Sequence, residues 1–377
     1  MDDPTIDEVR RQARSFGSVA EQYDRGRPGY PDAAVRWLVG RETATVLELG
    51  AGTGKLTAGL VAQGYDVHAT EPDPDMLRDL VARIVRAVFP ERILLFGSAA
   101  EGKMAPLIRR KIPSSDKELP AIGLGTWQTF DVPHGQRAPL AEVLKEFSAL
   151  GGKVVDSSPM YGKSEETAGE LMEELSLRKS LFVATKVWTS GKEAGIRQME
   201  ESMGKLKSPV IDLMQVHNLV DVKTHLDTLN AWKHEGRIRY LGVTHYHEGS
   251  HDAIMKLLAA ESVDFVQINY SVAEREAEEK LLPMARDRGV AVIVNRPFAG
   301  GNVFARLREK PLPDFAKEIG CGSWAQLMLK FIISHPAITC AIPATSKVKH
   351  LRDNMAACRG PLPDETMRKR IAEAAAG

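Results

Sequence analysis

Little in this chain of 377 residues marks a secreted scaffold, a metal cluster, a membrane span or a nucleic-acid binder. Cysteine is scarce: Cys321, Cys340 and Cys358 are the only three. Their spacing suits neither a disulfide framework nor a metal site, so they read as packing residues in a reducing compartment, and no metal is expected. Neither sign of charge is in excess, because Lys plus Arg and Asp plus Glu both number 50. Nothing in that balance attracts nucleic acid or an anionic membrane surface. No uninterrupted apolar run approaches the length of a membrane span, and the opening MDDPTIDEVRRQ lacks the apolar core of a signal peptide. Repeats and low-complexity tracts are absent too. The expectation is a cytoplasmic protein that acts on small molecules. Its length and 43% hydrophobic content allow two domains.

What is present, from Leu124 onward, is a regular alternation. Eight short apolar or β-branched runs (AIGLGTW, KVVDSS, LFVATKV, IDLMQVH, IRYLGVTH, FVQINY, VAVIVNRPF and TCAIPAT) are separated by helical stretches such as AEVLKEFSALG, ETAGELMEEL and WAQLMLKFIISH. Eight strand and helix units over about 260 residues match the number and length of a closed (β/α)8 barrel. Ahead of them, LIRRKIPSSDKELP reads as two short strands around a Ser-Ser-Asp turn, a hairpin over the barrel floor. Residues 1–104 do not follow this alternation and form a separate, incomplete Rossmann-like α/β segment, leaving 105–377 for the barrel.

Reactive groups of such barrels sit at the C-terminal ends of strands. There the second run ends in Asp156, with Tyr161 five residues on; the third delivers Lys186 and the fourth His217. A phenol with a pKa near 10 becomes a useful acid when a cation stabilises its phenolate, which Lys186 can do. An aspartate beside the lysine holds it charged, and a histidine hydrogen-bonds the oxygen that the phenol protonates. The group suits reduction of a carbonyl, with hydride going to carbon and the tyrosine proton to oxygen.

On these residues the segment from about 108 to 377 resembles the aldo-keto reductase superfamily of NADPH-dependent carbonyl reductases. The resemblance implies a catalytic tetrad of Asp156, Tyr161, Lys186 and His217. It also implies that Gly125, Thr126 and Trp127 border the nicotinamide end of the cofactor pocket. Thr244 and His245 in GVTHY, with Gln267 and Asn269 in VQINYS, fall where the family binds the nicotinamide carboxamide, and His245 replaces a commoner asparagine. Arg296 and Pro297 belong to the same pocket, where Asn295 replaces a stacking aromatic. In IPATSKVKHLRDN, Ser346 and Lys347 are expected at a 2′-phosphate and Asp353 and Asn354 at the adenine, with His350 in place of an arginine. NADPH is thus preferred to NADH, and the substrate is a small-molecule carbonyl; the oligomeric state stays open.

The front segment has other likenesses. VLELGAGTGKLT, with RSFGSVAEQYDRGRPGYPDAAVRWL before it, resembles a class I S-adenosylmethionine-dependent methyltransferase over about residues 14–80. Gly50, Gly52 and Gly54 would line the methionine and Glu71 the ribose, but that family uses seven strands and few are present here. About residues 81–104, with PERILLFGSAAEGK, resemble a nucleotidyltransferase turn in which Glu101 replaces an arginine and the paired metal carboxylates are missing. The chain reads as a composite. Methyl transfer and a non-catalytic NADPH-binding barrel are the competing functions.

Overall fold

In the computed structural model, residues 30–39, 45–49, 51–63, 65–70 and 105–376 are described. The chain divides into two units, Met1–Met104 and Ala105–Gly377. In the first, helix α1 (Asp32–Val39) precedes strand β1 (Thr45–Leu49), helix α2 (Lys55–Ala62) and strand β2 (Asp66–Thr70). The two strands pair in parallel, from Thr45 with Asp66 to Leu49 with Thr70. Gly52 and Gly54, at φ 57° and 78°, make the turn into α2, a left-handed conformation that costs a residue with a Cβ. The Thr57 hydroxyl ties α2 back to β1, donating to Glu48 Oε2 at 2.6 Å. Gly50, Glu71, the expected strand RILLFG and Glu101 lie outside the described residues.

The second unit opens with the expected hairpin, β3 (Arg109–Lys111) antiparallel to β4 (Glu118–Pro120). Ile112 and Leu119 are buried with Phe182, Tyr240 and Phe265, so the hairpin covers the floor of the barrel. Eight parallel strands follow: β5 (Leu124–Gly125), β6 (Val154–Asp156), β7 (Phe182–Val187), β8 (Ile211–His217), β9 (Ile238–Thr244), β10 (Phe265–Asn269), β11 (Ala291–Asn295) and β12 (Ile338–Ala341). Each pairs with the next in chain order. The seam closes where Gly123 N donates to Ala341 O at 2.8 Å and Ala341 N to Ala121 O at 2.9 Å. Gly125 lies on this seam, where a Cβ would come within 2.8 Å of the Ile342 carbonyl. Its small size is thus a requirement of closure.

The strands are buried on both faces, as parallel strands covered by helices must be. One face packs Phe182, Ala184, Leu213, Tyr240, Phe265, Ala291 and Ile293 inside the barrel. The other packs Val183, Met214, Val216, Val243, Val266 and Val292 against the helices. These are α3 (Ala138–Ala149), α4 (Ser164–Glu174), α5 (Lys192–Lys205), α6 (Val222–His234), α7 (His251–Ala260), α8 (Leu281–Asp287), α10 (Trp324–Ile333) and α11 (Val348–Ala356). Two helices lie outside the simple alternation: α9 (Asn302–Leu307), after β11, and α12 (Glu365–Ala376), at the end of the chain. The three cysteines are free and buried.

Side chains alternate faces along a strand, so the inward positions can be followed upward. Phe182 and Ala184 lead to Lys186, Leu213 to Gln215 and His217, and Phe265 to Gln267 and Asn269. The lining is apolar below and polar at the C-terminal end, where the carriers of chemistry collect.

Candidate active site

Lys186 and Asp156 form a buried ion pair at the top of this lining, with Nζ 2.7 Å from Asp156 Oδ1 and 2.6 Å from the Ser157 carbonyl. Relative exposures of 0% and 2% make this a pair shielded from solvent. Burial alone pulls the ammonium down, but Asp156 and then Tyr161 outweigh it, and the Lys186 pKa ends above its ordinary value. The charge is therefore kept.

Tyr161 sits in the turn between β6 and α4, its N–H donating to the Ser158 carbonyl at 3.0 Å. The Lys186 ammonium lies 5.1 Å from the centroid of its ring. Burial raises the phenol above its ordinary value, and the Lys186 charge opposes that rise. His217 meets the Tyr161 ring edge-on, with centroids 6.1 Å apart. Burial, then the charges of Lys186 and His245, push the imidazole down to about 3, so it is neutral at physiological pH. Its Nδ1 is 3.2 Å from Ser158 Oγ. All four residues singled out for chemistry therefore meet at one rim.

Beneath them is a polar layer that joins Thr126, Thr244 and Gln267, all expected from the sequence, to Gln215, which was not. Asp156 Oδ2 accepts from Gln267 Nε2 at 3.0 Å and from Gln215 Nε2 at 3.3 Å, while Thr244 Oγ1 donates to Gln267 Oε1 at 2.9 Å. Thr126 Oγ1 is 3.0 Å from both the Asp156 carbonyl and Ser157 Oγ. Gln215 and Ser158 were missed. The signal for Gln215 was its place two residues before His217, on the same side of the strand.

The remaining expected residues lie at strand ends, in the segments that follow them and in α11. Trp127 is exposed. His245 stacks on Tyr246 and meets His247 edge-on. Asn269 is held by His251 and Glu274, and Asn295 donates to the His245 carbonyl at 2.9 Å while its own Oδ1 is buried with no partner. Arg296 lies 3.5 Å from Glu274 and has a positive φ of 49°; Pro297 follows it. Asn218, Leu219 and Asp221 after β8, and Ala299 after β11, also have positive φ. Ser346 and Lys347 are exposed at the start of α11. Asn354 is buried, and both Asp353 oxygens are taken, by Ser323 Oγ at 2.7 Å and Gln326 Nε2 at 2.6 Å. A groove between α10 and α11 runs past Ser323, Gln326, Lys349 and His350.

Known proteins of two kinds resemble parts of this chain. An uncharacterized methyltransferase of Mycobacterium tuberculosis is 38% identical over 143 residues, 38% of this chain, a longer match than the stretch on which the resemblance was read. This chain spans about half, 52%, of the length of that relative. A methylglyoxal reductase of Escherichia coli is 28% identical over 256 residues, covering 64% of this chain and 87% of the relative. Among solved structures, an aldo-keto reductase of Klebsiella pneumoniae in complex with NADPH aligns with a TM-score of 0.58 and 26% identity, over 68% of this chain and 92% of that one. The model of the aldo/keto reductase family matches residues 121–375, well over half of the sequence. The chain belongs to the aldo/keto reductase family.

Proposed function

We propose that the barrel is an NADPH-dependent oxidoreductase that reversibly reduces an aldehyde or ketone to an alcohol. The observation that carries this reading is the dry Lys186–Asp156 pair beneath Tyr161, with a neutral imidazole against the same ring. Residues fit for a dinucleotide surround it. Thr244, Gln267 and the unpartnered Asn295 Oδ1 offer polar groups to a carboxamide. The first turn of α11, with exposed Ser346 and Lys347, offers a helix N-terminus and a cation to a phosphate.

When bound, the reduced nicotinamide supplies a hydride to the carbonyl carbon. Tyr161 gives its phenolic proton to the carbonyl oxygen, and the Lys186 ammonium stabilises the phenolate left behind. Asp156 keeps that ammonium charged and in place. His217, being neutral, orients the substrate: in the tautomer whose Nδ1 accepts from the Ser158 hydroxyl, Nε2 carries a hydrogen for the carbonyl oxygen. Trp127, Met160, Trp188 and Tyr246 are exposed large apolar side chains in the segments after strands, and the Trp188 ring is 6.3 Å from that of His217. That mouth favours apolar and aromatic carbonyls over charged ones.

The test is the loss of NADPH absorbance with a panel of aldehydes and ketones, for the wild type and Tyr161→Phe. Removing the proton donor should lower kcat by about 10² to 10⁴-fold and leave NADPH affinity within about twofold. Unchanged turnover refutes the assignment. Retained NADPH binding with no turnover on any carbonyl supports a binding subunit instead.

A further inference from the structure

The reading of Tyr161 as proton donor leaves one buried group without a task. Gln215 is completely buried on β8, one inward position below His217. An inward position so deep in a barrel is ordinarily apolar, as Leu213 is two residues earlier. Its amide orientation is not ambiguous, because a carboxylate only accepts, so the group facing Asp156 Oδ2 at 3.3 Å is Nε2. Its Oε1 has no hydrogen-bond partner. An amide buried with half its capacity unused destabilises the fold relative to a leucine of similar size. What it supplies in return is a donor aimed at the carboxylate that holds Lys186.

The other donor to that oxygen, Gln267, is shared. It also accepts from Thr244, and both residues lie where the carboxamide of the cofactor is expected. We propose that Gln215 is a positioning residue of the reaction: it anchors Asp156, and through it the Lys186 ammonium against Tyr161, while Gln267 serves the cofactor. The charged and titratable groups facing this assembly are Tyr161 and Glu165 toward Lys186, His245 and Lys186 toward His217, and Cys340 toward Asp156. None of them donates to Asp156 Oδ2.

The experiment compares the full chain with Gln215→Met, which keeps the volume and removes the donor, and with Gln215→Glu, which keeps the shape and adds a negative charge. Alcohol oxidation needs Tyr161 as phenolate, so its rate rises with pH through the ionisation of that phenol. Loosening Asp156, or adding a carboxylate beside it, weakens the ammonium's hold on the phenolate and moves the rise to higher pH. The expected result is that upward displacement, with kcat lowered about tenfold and NADPH affinity within about twofold of wild type by tryptophan fluorescence. Gln267→Met should instead weaken NADPH binding as well. A pH profile that superposes on wild type in whichever Gln215 variant folds overturns the proposal, even if kcat falls. Turnover that survives Tyr161→Phe rejects the proton-donor reading itself, a different result from a different variant.

Discussion

At the scale of single residues, the cost of this site lies in the ion pair between Asp156 and Lys186. Two charges out of water are tolerable only while each satisfies the other. Lys186→Met strands a carboxylate in the barrel and should destabilise the protein by about 3–5 kcal/mol, whereas Asp156→Leu with Lys186→Met should recover much of that loss. Thermal unfolding of the single and double variants measures both, and equal losses would deny the coupling. At the phosphate end, Lys347 is exposed and has no buried partner to lose. Lys347→Ala should therefore raise the KM for NADPH about tenfold and change that for NADH little. Asp156, Lys186 and His217 were legible in sequence because polar residues end apolar strands there, and Tyr161 because it follows Asp156 by five residues. Gln215 was not, since its place two residues before His217 sets its side of the strand but not the carboxylate that it faces.

At the scale of elements, the C-terminal helix α12 is locked to the barrel by Arg368. Its guanidinium donates to Ser334 Oγ at 2.8 Å, to the Phe331 carbonyl and to Tyr270 Oη at 2.7 Å, and lies 4.1 Å from the Phe331 ring centroid. Arg368→Met should lower stability by about 2–3 kcal/mol through several unpaired buried groups, seen as a fall in Tm. Beside it, burial pushes His335 down to about 4. A histidine that binds its proton more weakly when folded stabilises the protein fully above its unfolded pKa of about 6.5 and loses that contribution as pH falls toward about 4. His335→Gln should consequently flatten the fall of Tm between those pH values, and an unchanged slope would assign the acid sensitivity elsewhere. The alternation of strands and helices was readable because its periods are local; α9 and α12 were not, being additions that the repeating pattern does not require.

At the scale of the whole molecule, two unequal parts share one chain. Residues 105–377 contain the closed sheet, the hairpin that shares its inner core, and every expected reductase residue. The described part of the first unit holds two strands and two helices, with Gly52 and Gly54 shaping a turn that resembles the start of a methyltransferase. We expect residues 105–377, produced alone, to oxidise NADPH with the kcat of the full chain. Isothermal titration of the full chain with S-adenosylmethionine should show no binding, because the two strands among the described residues supply few of the walls of such a pocket. Loss of activity on truncation, or measurable binding, would give the first unit a function of its own.

Eight strands, the helices that alternate with them, and the reactive residues at or just after three of those strands could all be read from the sequence alone. Hydrophobic periodicity and strand-end polarity are written in neighbouring residues. The folded barrel gives the two Asp156 oxygens different partners, Lys186 for one and a pair of glutamines from β8 and β10 for the other. The fold likewise buries His217, which holds its pKa low, and brings both Asp353 oxygens against α10 and the residue that caps it. Those properties depend on distances between residues as many as 111 apart in sequence and on the exclusion of water by the closed barrel. No local pattern encodes either.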